Sequence, residues 1–124
     1  MTISVFGNPN LPQDSLAFRL IPHLQRLLPR AEFIHQDPQE QIMPPNESVW
    51  WIIDVVKNIS EVKLITDLEQ IKDAKRMTLH DYDLATELKL IKKIYPNLEI
   101  KIVGVPSYGN VEKIASRVAN IITN

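Results

Sequence analysis

Apolar and polar residues change rhythm several times along the chain, and each rhythm predicts an element. Thr2-Ile3-Ser4-Val5-Phe6 alternates and stops at the turn formers Gly7-Asn8-Pro9-Asn10, which predicts a strand followed by a loop. Leu16, Leu20, Leu24, Leu27 and Leu28 recur at helical spacing, with Arg19, Gln25 and Arg26 on other faces. Pro22 falls inside that pattern and removes one backbone hydrogen bond, so the helix either kinks there or begins later. Ala31 to His35 predicts a short strand ended by Asp37-Pro38, and Gln36 to Asn46, polar with three prolines, reads as a loop. Val49-Trp50-Trp51-Ile52-Ile53 is apolar at every position, the signature of a strand buried on both faces at the centre of a mostly parallel sheet, and it ends at Asp54. Val62 to Thr66 predicts another strand, antiparallel to its predecessor because the connection is short. Residues 67–82 carry no clear period. Asp83 reads as the cap of an amphipathic helix marked by Leu84, Leu88, Ile91 and Ile94 and closed by Tyr95-Pro96. Leu98 to Val105 predicts a strand, and Val111, Ile114, Val118, Ile121 and Ile122 predict the closing helix.

Strands alternating with helices predict an α/β fold: a three-layer sandwich with a mostly parallel, twisted sheet of about five strands flanked by helices. The 124 residues make one domain, 1–124, and can bury a real core, with 44% hydrophobic and 23% charged residues. Fourteen Lys and Arg against fifteen Asp and Glu give a net charge of −1, which excludes a basic, sequence-independent nucleic-acid binder. No apolar run approaches the ~20 residues of a membrane span, and the chain opens on a strand pattern rather than a signal sequence. No cysteine is present, so disulfides, thiolate metal sites and cysteine nucleophiles are excluded. These readings predict a cytoplasmic protein without membrane or nucleic-acid partners, and a monomer.

In parallel sheets, ligands gather outside the carboxyl ends of the strands. Three segments are placed there: the loop from Gly7 to Asp14, Asp54, and the loop around His80. A carboxylate adjoining five buried apolar residues, as Asp54 does, is costly unless it is paired, hydrogen-bonded or bound to a metal. Its plain alternative is capping of local backbone. Asp14 precedes a helix and could equally be an N-cap, and His80 could be an ordinary loop residue. Together, two aspartates and a histidine at one sheet edge make a facial ligand set for a divalent metal with open positions. His23 lies in the first helix and His35 ends an early strand. The lysines Lys89, Lys92, Lys93 and Lys101 scatter over solvated faces, Trp50 and Trp51 read as core residues, and no nucleophile elbow, dinucleotide fingerprint or HExxH motif occurs.

Four stretches, in order, resemble the hydrogenase maturation protease family of the HycI/HybD type. They are Val5-Phe6-Gly7-Asn8 leading to Gln13-Asp14, Ile52-Ile53-Asp54-Val55, Thr78-Leu79-His80-Asp81-Tyr82-Asp83-Leu84, and Val103-Gly104-Val105-Pro106. The resemblance spans nearly the whole chain and implies a HybD-like fold. It also implies a nickel-dependent endopeptidase that removes the C-terminal extension from the precursor of a [NiFe]-hydrogenase large subunit after metal insertion. Nickel would be presented by the substrate, and other divalent ions could substitute. Residue by residue, Asp14, Asp54 and His80 match the family's metal ligands and are the implied catalytic set. The chain departs from the family pattern where Gln13 replaces the first acidic residue, where Ser15-Leu16-Ala17 stands for glycines, and at Asp37-Pro38-Gln39-Glu40 after the second strand. The alternatives are a non-catalytic metal- or partner-binding relative of that fold, and a flavodoxin-like regulatory domain. A receiver-like version of the last would want a lysine where Val103-Gly104-Val105-Pro106 has none.

Overall fold

The computed structural model describes residues 1–36, 42–67 and 79–124, and from residue 84 onward the last of these segments includes its side chains. Five strands, β1 (Thr2–Phe6), β2 (Glu32–Gln36), β3 (Val49–Val55), β4 (Lys63–Ile65) and β5 (Glu99–Val105), form one sheet in the order β2-β1-β3-β5-β4. The described helices are α1 (Leu16–Leu27), α2 (Leu79–Ile94) and α3 (Val111–Thr123), and a single 3-10 turn, Pro12–Asp14, precedes α1. Every strand pair is parallel except β4 with β5. The expected three-layer α/β sandwich is what forms.

β3 sits at the centre, as its unbroken apolar run requires. Its alternating side chains feed two cores. Trp51, Ile53 and Val55 join Leu16, Leu20 and Leu24 of α1 and Ile114, Ala115 and Val118 of α3 on one face. Trp50 and Ile52 join Leu84, Ala85, Leu88 and Ile91 of α2 on the other. Pro22 lies inside α1, which runs from Leu16 to Leu27 without restarting. Its apolar face against the sheet outweighs the one missing backbone bond. The described helices include none long and apolar enough to cross a membrane.

Three expectations are corrected. α2 already includes Leu79, so Asp83 lies within the helix rather than capping it, and His80 belongs to the helix rather than to a loop. Acidic residues are favoured throughout a first turn by the helix dipole, so an aspartate marks a nearby start without fixing the cap. β4 is antiparallel, but its partner is β5 and not its predecessor β3. Both flanks of β3 are already taken by β1 and β5, which leaves β4 the outer edge. β2 runs from Glu32 to Gln36, one residue later than expected, and the loop expected from Gln36 to Asn46 lies in part outside the described residues.

Two polar devices tie the chain across the sheet. Glu47, just before β3, accepts a hydrogen bond from the Thr2 backbone N–H at 2.8 Å and lies 3.6 Å from the terminal ammonium of Met1. That hydrogen bond, with the ammonium charge, holds the Glu47 carboxyl below its ordinary range. Deeper in, the Trp50 indole donates to the Ser4 hydroxyl at 2.9 Å, where Trp50 is fully buried and Ser4 nearly so. An indole N–H there needs an acceptor. Replacing Ser4 by Ala strands that donor and is expected to cost about 1–3 kcal/mol, read as a lower urea midpoint at unchanged slope. An unchanged midpoint would show that the bond carries no stability.

Candidate functional site

The order β2-β1-β3-β5-β4 reverses its winding between β1 and β3. After β1 the chain moves outward to β2, and after β3 it moves the other way, first to β4 at the far edge and then back to β5. Connections therefore leave β1 and β3 in opposite directions and open a crevice beyond their carboxyl ends. Both aspartates lie there.

Asp14 is brought over the end of β1 by a tight loop. Leu11 N–H binds Asn8 O at 3.2 Å, Asp14 N–H binds Leu11 O at 2.9 Å, and Asn10 N–H binds the Asn8 side chain at 2.9 Å. Pro12 opens the 3-10 turn that ends at Asp14. The Asp14 carboxylate accepts the Asn8 backbone N–H at 2.8 Å through Oδ2. It thus folds back onto the β1 loop. The expected alternative, a cap on α1, is not what forms: Ser15 takes the N-cap position and makes no side-chain cap bond. Gly7 makes this loop possible. Its φ is +138°, and a Cβ there would sit 2.7 Å from the Asp14 carbonyl oxygen and 3.2 Å from the Phe18 ring.

Asp54 is carried by β3 itself. Val5 pairs with Ile53, so Asp54 follows directly beyond the paired region of β1, and on its other side Asp54 pairs with Gly104 of β5. By strand alternation it stands on the same face as Trp50 and Ile52, which α2 covers. Its Oδ1 accepts the Val55 backbone N–H at 3.0 Å. Asp54 is 1% exposed and Asp14 5%, so both carboxylates are removed from bulk water. Burial of an ionised carboxylate costs several kcal/mol unless it is compensated by hydrogen bonds or opposite charge.

His80 lies on the helix that returns the chain to the amino edge. α2 ends at Ile94 close to the start of β5, where Glu99 N–H binds Ser48 O at 2.9 Å. Sixteen residues of helix span about 24 Å, which places its first turn back at the carboxyl edge. Position 80 is one turn before the buried Leu84. The side chain of His80 lies outside the described residues. Among the described side chains, no three His, Asp or Glu residues gather, and the two aspartates are the described part of the expected set.

The other histidines take no part. His23 bonds Arg26 at 2.9 Å on the exposed face of α1, and His35 packs edge-on against Phe18 with ring centroids 4.3 Å apart. A cavity of about 650 Å³, between Pro44, Glu47, Tyr95 and Pro96, opens at the amino edge, away from both carboxylates.

The chain has the HybD fold. It superposes on [NiFe] hydrogenase maturation protease HybD from Thermococcus kodakarensis with a TM-score of 0.66, at 16% identity, over 98% of this chain and 95% of that one. Against the hydrogenase maturating endopeptidase HybD from E. coli the TM-score is 0.62, again at 16% identity, over 98% and 90% of the two chains. An uncharacterized protein from Wolinella succinogenes is similar at a TM-score of 0.55 and 12% identity, over 98% and 93%. No protein-family model matches the chain, and no curated protein does so by sequence.

Sequence reading named Asp14 and Asp54 but missed two parts of the site's frame. Gly7 matters as the only residue type that fits over the Asp14 carbonyl, which its φ reveals and its place in a turn merely suggests. The second is the Tyr108 loop after β5, where an aromatic residue between Ser107 and Gly109-Asn110 was the only signal. Gly7→Ala is expected to destabilise the fold by about 2 kcal/mol or more, from the strained φ and the backbone clash, as measured by urea unfolding. A loss below roughly 0.5 kcal/mol would show that the loop accommodates a Cβ and that Gly7 does not fix Asp14.

Proposed function

We propose that the protein is an endopeptidase of hydrogenase maturation, removing the C-terminal extension from the precursor of a [NiFe]-hydrogenase large subunit. One observation carries the reading. Two buried aspartates occupy the adjoining carboxyl ends of β1 and β3, at the reversal of strand order, in a fold shared with two solved hydrogenase maturation proteases.

The donor chemistry fits a divalent ion. Two carboxylate oxygens and an imidazole suit a borderline metal such as nickel and leave positions open for groups of the substrate. In this reading Asp14, Asp54 and His80 would hold nickel that arrives with the precursor, and other divalent ions could take its place. A metal held there supplies Lewis-acid polarisation of a carbonyl or a more acidic water. Requiring nickel at the site would also make cleavage report on whether the precursor has been loaded.

The chain's own residues do the positioning. Asn8 N–H fixes the Asp14 carboxylate, and because a carboxylate offers about four acceptor sites, that bond is compatible with ligation. Val55 N–H fixes Asp54 in the same way. The dry, packed faces of β3 keep Asp54 from moving as a charge approaches. The protein would act as a monomer in the cytoplasm, on a folded protein partner and not on nucleic acid or membrane.

Incubation with a nickel-loaded precursor tests this. Wild type should shorten the precursor. His80→Ala should lower the rate more than about 100-fold with the melting temperature within about 2 °C of wild type. Asp54→Asn should lose cleavage while keeping or raising stability, because it removes a buried charge held for ligation. Full activity in His80→Ala, or a large fall in melting temperature in Asp54→Asn, would contradict the assignment. Metal binding without any cleavage would make the protein a non-catalytic relative.

A further inference from the structure

A second concave feature lies on the same edge of the sheet. A cleft of about 240 Å³ opens between the segment leading into β4 and the loop joining β5 to α3. Its floor is Val62 and Ile114, which belong to the core beneath. One wall carries Lys113 and Arg117, one turn apart on α3, and the other carries Glu61. Among the described residues neither cation is in an ion pair, so the lining has one surplus positive charge.

Tyr108 stands at the rim, 73% exposed. The loop that presents it is not loosely held. Ser107 before it is buried, and Gly109 after it has φ +148° and packs so tightly on α3 that a Cβ would lie 2.9 Å from Ile114 Cδ1. An aromatic ring held out in water by a closely packed loop has little conformational freedom to lose on contact, which is how aromatic anchors of binding surfaces work.

The distance from the carboxylates is informative. Asp54 pairs with Gly104, and Gly104 pairs with Lys63 at the start of β4. Two strand spacings, about 10 Å, therefore separate Asp54 from Lys63, and the cleft lies beyond that, on the α3 side of the sheet. An extended peptide advances about 3.3 Å per residue, so at least three residues pass over the carboxyl edge between the two. We propose that the cleft is the subsite that holds the substrate chain, taking an acidic residue at least three positions from the bond to be cut, with Tyr108 lying along the peptide. This rests on the peptidase reading above for the word substrate, and on the cleft alone for the preference for an acidic peptide. Lys113 and Arg117 would set specificity, and they would not act on the reacting bond.

The test uses the intact protein and two fluorescein-labelled dodecapeptides that differ only in a central Glu or Lys, followed by anisotropy at low salt. Wild type should favour the Glu peptide by roughly tenfold, the double variant Lys113→Glu/Arg117→Glu should reverse the order, and Tyr108→Ala should weaken both peptides alike. The two charges are exposed, so the variants should fold, and circular dichroism melting verifies that they do. With nickel-loaded precursor, the double variant should raise KM about tenfold and leave kcat in place. Equal affinity for the two peptides, a preference that survives charge reversal, or a fall in kcat at constant KM would each overturn the proposal. If the Glu preference holds but wild type cleaves no precursor, the peptidase reading fails and the acidic-peptide site stands. If wild type cleaves but shows no preference, the cleft assignment alone fails.

Discussion

A strand that is apolar at every position must be covered on both faces, and most of this structure follows from covering β3. Val49 to Ile53 cannot lie at an edge or face water, so β1 and β5 flank it, α1 and α3 pack on one face, and α2 packs on the other. To place helices on both sides, the chain winds outward from β1 in one direction and from β3 in the other. The crevice at the carboxyl ends of those two strands is therefore a consequence of burying the core strand. The charged residue that ends the apolar run, Asp54, is delivered into it by the register of β3 alone. A second carboxylate reaches the same crevice by a different route, through Gly7, whose backbone geometry lets the loop turn Asp14 back over β1.

Two carboxylates buried this close to apolar layers need compensation by hydrogen bonds, opposite charge or a bound cation. Each accepts a backbone N–H, and those bonds orient them. The structural alternative for Asp14 was an N-cap on α1, and Ser15 occupies that position instead. Orientation by the backbone combined with burial is what a ligand site needs. Donors are held in place before the ion arrives, so little ordering remains to be done on binding.

How far the sequence disclosed this depended on whether the deciding interaction was local. β1 and β3 were legible because alternation and continuous apolarity are local patterns, and Pro22 was legible as a perturbation though not in its outcome, since α1 is carried by tertiary packing. The start of α2 was placed too late because Asp83 suits a helix N-terminus. The partner of β4 was misread because it depends on which flanks of β3 were already filled, a question no short segment can answer. Asp14 and Asp54 were legible as carboxylates in unusual positions, but the Asn8 bond that sets the role of Asp14 was not. The Tyr108 cleft was hidden for the same reason: it joins Glu61 to Arg117 across 56 positions of chain.

The central claim is that Asp14, Asp54 and His80 converge on one divalent ion at the crevice between β1 and β3. Anomalous diffraction at the nickel edge, from a crystal soaked in a nickel salt, tests it most directly. The account predicts a single peak at the carboxyl edge with two carboxylate oxygens and one imidazole nitrogen bonded at about 2.0–2.2 Å. A peak elsewhere, or a His80 side chain directed away from the two aspartates, would contradict it and leave only the fold in common with the HybD proteins.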